Sequence, residues 1–362
     1  MTSFVESCVE TVAGSAEQVE RRTRNRPRVR KLLKLLEGKQ NILITSHTHP
    51  DPDALASALG IAYLVRAKLP VKVTLSFKGR LGGGINERFV QLANLNAEPW
   101  DDAKIPSYDA IILMDCQPTF AYSPLPAGVV PTSVIDHHRA PGKIARCAFC
   151  DIRTDVGASS SIVFSYFMEL ETPIPRDLAA TMLFAIESDL AGAAGTPGEL
   201  DNIALSSLTL LADTRKLYQM RYAPLPASYY QMYFNAVRHA FRYDRAIMSH
   251  LETIDSLEQP ALAADFLLRN DAADAALVTA VYENKLVVSL RTSSPKLLAS
   301  EVAKRLLRNI GQGGGHRSKA GGFVPLQTGT PAEIERLRNT LRRRYLRVLK
   351  IRQTRGIHLV QV

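Results

Sequence analysis

NILITSHTHPDPDALASALGIAYLVRA, residues 41–67, passes from a β-branched run to a helical pattern within a dozen positions, and the change falls on a cluster of histidines and aspartates. Asn41–Ser46 reads as a strand and Ala54–Ala67 as a helix, so His47, Asp51 and Asp53 sit where one ends and the other begins. Proteins of the α/β class build their sites at such strand ends. One imidazole and two carboxylates within seven residues suit manganese or another divalent cation better than a thiophilic metal. Taken alone, the same aspartates also serve as a turn residue at 51 and a helix N-cap at 53.

Outward from this stretch the rhythm repeats. Val71–Phe77, Ala110–Met114 and Ser133–Ile135 read as strands, and Glu87–Leu95, Ser159–Leu170 and Arg176–Ser188 as helices, which predicts an α/β domain with a parallel sheet over 41–215. Further His/Asp elements follow the predicted element ends: Asp115 after 110–114, Asp136-His137-His138 after 133–135, and Asp189 after the helical run Thr181–Glu187. Asp201 is a weaker candidate for the last position. Residues 216–255, rich in Tyr, Phe and Arg and broken by Pro224 and Pro226, read as a helical connector. A smaller α/β domain is expected over 256–328, with strands Ala276–Val281 and Lys285–Thr292, a helix over Lys296–Asn309 and a glycine cluster at 311–315.

With 362 residues, 46% apolar and 22% charged, the composition is that of a soluble globular chain of two or three domains. No run of 18 uncharged apolar residues is present and Met1–Gly14 lacks the pattern of a signal peptide, so a cytoplasmic protein without a transmembrane segment is expected. Four cysteines are too few and scattered for a disulfide framework, and Cys147-Ala-Phe-Cys150 is half a zinc site with no second pair; free thiols are the expectation. The net charge of +10 is concentrated at the ends. Residues 21–34, in a basic N-terminal helical extension over 1–40, carry eight Arg and Lys and no acid, and residues 336–355 carry nine and no acid; without those seventeen the remainder stands at −7. Thr330-Pro331-Ala332-Glu333 is a capping box that opens a basic C-terminal helix over 329–362, with Ile334, Leu337, Leu341, Tyr345 and Val348 as its apolar stripe.

The ordered motifs resemble the DHH phosphoesterase family over about residues 40–325. The family's His-x-x-Pro-Asp-x-Asp pattern matches His47, Pro50, Asp51 and Asp53; the second motif matches Asp115, the name-giving triplet Asp136-His137-His138, and the fourth motif Asp189. The Gly-Gly-Gly-His signature of the DHH-associated C-terminal domain matches Gly313-Gly314-Gly315-His316, preceded by a strand containing Arg291. The chain departs from the pattern with Ala56-Ser57 in place of Gly-Ser and Asp189-Leu190-Ala191 in place of Asp-Thr-Gly. The resemblance implies two Mn²⁺, one held by His47, Asp51 and Asp115, the other by Asp53, Asp115, His137 and Asp189. It further implies that Asp136 orients a histidine, that His138 contacts the phosphoryl group, and that Arg291, Gly313, Gly314, Gly315 and His316 bind substrate between the two domains.

The function so implied is two-metal hydrolysis of short oligonucleotides or linear dinucleotides to nucleoside monophosphates, as in proteins similar to bacterial nanoRNase, oligoribonuclease and RecJ. Cyclic dinucleotides or 3′-phosphoadenosine 5′-phosphate are the alternative substrates, and a non-catalytic RNA-binding regulator is the alternative of another class. Short RNA, DNA or a nucleotide is the expected partner, with room for a homodimer. The basic ends are expected to bind RNA or an anionic surface, and residues after Thr330 to be dispensable for dinucleotide turnover unless the apolar stripe packs on the second domain.

Overall fold

The computed structural model describes residues 28–82, 85–139, 147–191, 197–315 and 317–360, which fall into two compact units meeting in the chain between Ala223 and Pro224. In the first unit the elements run α1 (Val29–Leu36), β1 (Asn41–Ser46), α2 (Pro52–Lys68), β2 (Lys72–Leu75), α3 (Ile85–Ala93), β3 (Ala110–Met114), β4 (Ser133–Asp136), β5 (Phe149–Ile152), α4 (Ser159–Glu169), α5 (Arg176–Leu190), α6 (Glu199–Leu211) and α7 (Thr214–Arg221). The five strands are all parallel, in the order β2-β1-β3-β4-β5. Their apolar runs are buried, as a sheet covered on both faces requires. Strand β5 escapes the sequence reading because four residues with two outward positions carry little hydrophobic signal.

This strand order has a consequence for function. The order in which strands are added reverses between β1 and β3, the position at which an open parallel sheet leaves a crevice beyond its strand ends. The register aligns Ser46 with Met114 and Met114 with Ile135. The residues that follow, His47, Asp115 and the Asp136-His137-His138 string, therefore emerge side by side at one end of the sheet.

Half of the basic N-terminal extension belongs to this unit. Val29, Leu32 and Leu36 are buried in its core. The nearly buried Glu169, at the end of α4, accepts hydrogen bonds from the backbone N–H groups of Arg28 (2.9 Å), Val29 (3.1 Å) and Arg30 (3.1 Å), and so caps the start of α1. Arg28 also pairs with the buried Asp151, which Arg153 and the Tyr166 hydroxyl hold from other sides. Residues 1–27, with the first four of the eight expected basic positions, lie outside the described residues. Cys147 and Cys150 are joined in a disulfide rather than free, their Cα atoms lying 6.1 Å apart where the chain enters β5, within bridging reach.

The second unit contains α8 (Ala227–Arg238), β6 (Phe241–Tyr243), β7 (Ala246–Thr253), α9 (Gln259–Leu267), β8 (Ala275–Tyr282), β9 (Lys285–Thr292), α10 (Ala299–Leu307), β10 (Gln312–Gly315), β11 (Lys319–Pro325), α11 (Pro331–Val348) and β12 (Ile357–His358). Its seven strands are ordered β10-β11-β9-β8-β7-β6-β12, with only β7 and β8 parallel. One sequence expectation changes here. The predicted connector 216–255 is helical only to Arg238; its last third forms β6 and β7, because Ala246–Leu251 is a continuous buried run. For the basic C-terminal segment the structure shows the course in which the apolar stripe packs on the second unit: Leu341, Tyr345, Leu346 and Leu349 are buried in its core, and β12 pairs with β6.

Leu341 is fully buried, so Leu341→Ala should lower stability by about 2–5 kcal/mol. A chain ending at Thr330 should melt at a clearly lower temperature than the intact chain. Thermal unfolding followed by circular dichroism checks both, and an unchanged midpoint in the truncated chain would show that α11 contributes nothing to the fold.

Candidate metal centre

Helix α2 opens the site. Asp51 is its N-cap, accepting the Ala54 N–H at 3.0 Å through Oδ1, with Pro52 at the first helical position. Asp53, one turn position further, is 1% exposed. Its two carboxylate oxygens accept the backbone N–H groups of Ser159 (2.6 Å) and Ser160 (2.9 Å), the otherwise unpaired donors at the start of α4. The hydroxyl of Ser159 donates to Oδ1 of Asp115 at 2.8 Å. Ser159 and Ser160 thus fix two carboxylates from different strand ends, a role the sequence reading missed, although a string of three serines before an apolar run is a helix-start signal.

Asp115 sits at φ +50°, a left-handed conformation that aspartate tolerates better than most residues, and its N–H is held by Ile135 O at 2.8 Å. The turn projects its carboxylate into the cluster at 2% exposure. Oδ2 lies 3.7 Å from His47 Nε2, and Oδ1 lies 3.4 Å from His137 Nε2. His47 Nε2 is in turn 3.9 Å from Asp51, and His137 Nε2 is 3.3 Å from Asp189. Each histidine sets its other nitrogen against a backbone carbonyl, His47 Nδ1 on Thr48 O (3.0 Å) and His137 Nδ1 on Val156 O (3.3 Å), which leaves Nε2 as the ligand nitrogen. Three groups of donor atoms, each within 4.8 Å, result: His47, Asp51 and Asp115; Asp53, His137 and Asp189; Asp115, His137 and His138.

Asp136 is fully buried and binds His138 twice, at Nδ1 (2.7 Å) and at the backbone N–H (3.1 Å). Gln117, also missed by the sequence reading, donates to Asp136 (2.7 Å) and to His138 O (2.9 Å). Two aromatic side chains from the loop after β3 stand against the histidines. The ring of Tyr122, 44% exposed, meets His47 edge-on at 6.0 Å, and Phe120 meets His138 at 6.1 Å. Asp201, the weaker sequence candidate, is elsewhere in chemistry: it accepts the N–H groups of Gly157 (2.7 Å) and Gly198 (2.8 Å) and caps α6.

The buried carboxylates of the cluster act on one another. Burial and the charge of Asp189 push Asp53 up to about 6. Burial and the neighbouring Asp53 and Asp51 raise Asp115 well above the carboxylate range. Among the described residues, the ion-pair partners of Asp115 are the three histidines, with no lysine or arginine. Burial lowers His137, helped by the adjacent His138. For His138 burial works the same way, but the Asp136 hydrogen bond outweighs it and raises the pKa. A donor set of buried carboxylates and imidazoles, with histidines as the ion-pair partners of Asp115 among the described residues, fits divalent cations.

In the second unit, Gly313, Gly314 and Gly315 form the edge strand β10 rather than an open loop. A Cβ on Gly313 would meet Leu307 at 2.4 Å, and Gly315 has φ +146° with Lys319 O at 2.4 Å from any Cβ, so close packing accounts for these two glycines. Arg291 is largely buried and pairs with Asp265 through Nε at 2.8 Å, while Nη1 donates to Ser289 and Leu290 O. His316 lies outside the described residues.

In the metal-free protein the native pKa of Asp53 stands above its ordinary 3.8, so the native state holds the proton more tightly and stability is lost as pH rises from about 4 to about 6. Asp53→Asn cannot ionise and should gain on the parent by roughly 2–3 kcal/mol across that window. Denaturant melts of both proteins in chelator at several pH values measure the slope, and parallel curves would place a protein cation beside Asp53.

The chain is 27% identical over 293 residues to the uncharacterized protein MJ1633 of Methanocaldococcus jannaschii, covering 80% of this chain and 59% of that protein. It is 26% identical over 162 residues to a probable manganese-dependent inorganic pyrophosphatase of Lactococcus lactis, covering 41% of this chain and 48% of the other. The chain thus spans about half to three-fifths of the length of these curated relatives. The fold is shared with the crystal structure of an exopolyphosphatase-related protein from Bacteroides fragilis, with a TM-score of 0.64 at 19% identity, covering 88% of this chain and 96% of that one. No helix among the described residues is long and apolar enough to cross a membrane. Residues 41–186 match the DHH family, N-terminal domain, a span that holds every aspartate and histidine of the three donor groups except Asp189, three residues beyond it. Over these residues the chain is similar to the N-terminal domain of the DHH family.

Proposed function

We propose that this chain is a manganese-dependent phosphoesterase that hydrolyses short oligonucleotides or linear dinucleotides to nucleoside monophosphates. The observation that carries the reading is the placement of the two Asp115 oxygens, one toward His47 and the other toward His137, so that one carboxylate serves two donor groups. His47, Asp51 and Asp115 would hold one cation, and Asp53, Asp115, His137 and Asp189 the other. When bound, such a pair supplies an activated water and neutralises phosphoryl oxygens. The manganese assignment draws on the donor chemistry and on the name of the Lactococcus lactis relative.

The remaining roles belong to the chain's own groups. Ser159 and Ser160 hold Asp53 and Asp115 rigidly, so the carboxylates need no rearrangement when cations arrive. His138, held at Nδ1 by Asp136, which raises its pKa, would donate a hydrogen bond to a phosphoryl oxygen. Gln117 fixes Asp136 from behind. In the second unit, Arg291, the Gly313–Gly315 strand and His316 would contribute to substrate binding, with Asp265 orienting the Arg291 fork.

Phe120 and Tyr122 favour a nucleotide over inorganic pyrophosphate. Rings 5.1 Å apart that stand against His47 and His138 offer a nucleobase a stacking surface next to the centre, which an inorganic anion could not use. Incubation with Mn²⁺ and a panel of short RNAs, linear and cyclic dinucleotides, 3′-phosphoadenosine 5′-phosphate and pyrophosphate ranks the substrates. Linear species should lead, and pyrophosphate turnover alone would overturn the reading.

Two variants sharpen this. Asp115→Asn keeps a residue that tolerates φ +50° but removes the bridging charge, and should cost roughly a hundredfold or more in kcat while the circular dichroism spectrum is retained. Full activity in that variant would rule out the shared carboxylate. Replacing Phe120 and Tyr122 by Ala should raise KM for a linear dinucleotide about tenfold, as stacked bases contribute on the order of 1–3 kcal/mol each. An unaltered KM would mean that the rings only pack on the histidines.

A further inference from the structure

We propose that the outward face of α11 binds the phosphate backbone of single-stranded nucleic acid. The inference goes beyond the hydrolytic reading and uses none of the residues at the metal centre.

The fold sorts the nine cations of residues 336–355 by what they do. Arg344 reaches across to α10 and donates to Leu306 O (2.6 Å) and Arg308 O (2.8 Å), neutralising the carbonyl end of that helix. Arg338 is drawn in beside Glu335 and Glu252. Arg336, Arg343 and Arg347, by contrast, are exposed, as is Lys350 just past the helix, and among the described residues none of the four has an ion-pair partner. Spacings of seven and four residues place the three arginines within about 20° of one line along the helix, over about 16 Å. The line runs opposite the buried Leu341 and Tyr345.

Three features separate this stripe from a merely solvated face. Arg343 and Arg347 are like charges at i, i+4, an arrangement that weakens a helix, and no acid is interleaved to relieve it. Beyond the exposed Glu335, the exposed helical positions from Arg336 onward hold arginine, whose planar fork matches phosphate oxygens two at a time, where a solubility face would be served by lysine and glutamate. On the adjoining α10, Arg305 and Arg308 are exposed as well, and the cation there that does have an ion-pair partner is Lys304, held by Glu301. A lipid surface suits the geometry less. A helix that lies on a bilayer buries its own apolar face in it, and the apolar face of α11 is already spent on the core of the second unit.

The test uses the full chain in chelator, where hydrolysis plays no part and a failure of the catalytic reading leaves the result intact. A fluorescent single-stranded 20-nucleotide RNA is titrated by anisotropy at several salt concentrations, in parallel with sedimentation of phosphatidylserine vesicles. The triple change Arg336→Gln, Arg343→Gln and Arg347→Gln keeps helix propensity and the buried stripe, and its melting midpoint is recorded beside the parent's. Binding to RNA should weaken roughly tenfold or more, and the slope of log K against log salt should fall by about 2, the share of three single-strand phosphates. Equal affinity and slope in parent and variant at equal melting midpoint would overturn the proposal. So would a parent that sediments with vesicles but does not bind the RNA.

Discussion

Negative charge gathered where water is scarce is the constraint on which the first unit is organised. Asp53 and Asp115 are almost wholly buried and stand within reach of Asp51 and Asp189, and each raises the cost of ionising the others. A protein can relieve such a cluster with lysine or arginine, as this one does at Asp151, where Arg28 and Arg153 converge. At the centre it supplies imidazoles instead, and helix-start N–H groups that stiffen the carboxylates without neutralising them. The surrounding structure holds these groups at the ends of adjacent strands in fixed register, and a slip of one residue between β1 and β3 would turn each pair of facing side chains to opposite sides of the sheet.

Much of this was legible in the sequence because parallel strands are short and uninterrupted and their chemistry follows them directly. Asn41–Ser46 and Ala110–Met114 form with the predicted limits, and His47 and Asp115 come next in each case. What pattern could not supply was pairing across distance. Ser159 and Ser160 lie 106 and 107 positions from Asp53, and nothing local in either segment announces the other. Gln117, Phe120 and Tyr122 belong to an irregular loop, where side-chain direction is set by tertiary contacts rather than by period. The second unit was less legible for a related reason: Ala246–Leu251 is buried at every position, Ser249 and His250 included, so the run lacks the alternation that marks a half-buried strand.

The basic segments show how little a count of charges says about their use. Arg28 and Arg30 sit in the N-terminal run, yet their backbone N–H groups meet Glu169 and the Arg28 side chain meets Asp151. In the C-terminal run, Arg344 closes the end of α10. Burial of Leu341 and Tyr345 makes the helix a structural member, so its arginines are fixed in space by the core beneath them instead of being free on a tail. A rigid array loses less freedom on meeting a polyanion than a disordered one of the same charge.

The two late aspartates of the first unit give the sharpest contrast between a structural and a functional carboxylate. Asp201 stands at the start of α6, where the helix dipole is positive and two backbone N–H groups, of Gly157 and Gly198, meet one of its oxygens; folding alone explains it. Asp189 stands in the last turn of α5, where the same dipole is negative, and it faces Asp53 and His137. An anion at a helix C-terminus beside another carboxylate gains nothing from the dipole, and the partner it meets here is His137, at 3.3 Å. A cation taken up among Asp53, His137 and Asp189, whose donor atoms lie within 4.8 Å of one another, would relieve both carboxylates at once, which capping cannot do for Asp189 as it does for Asp201.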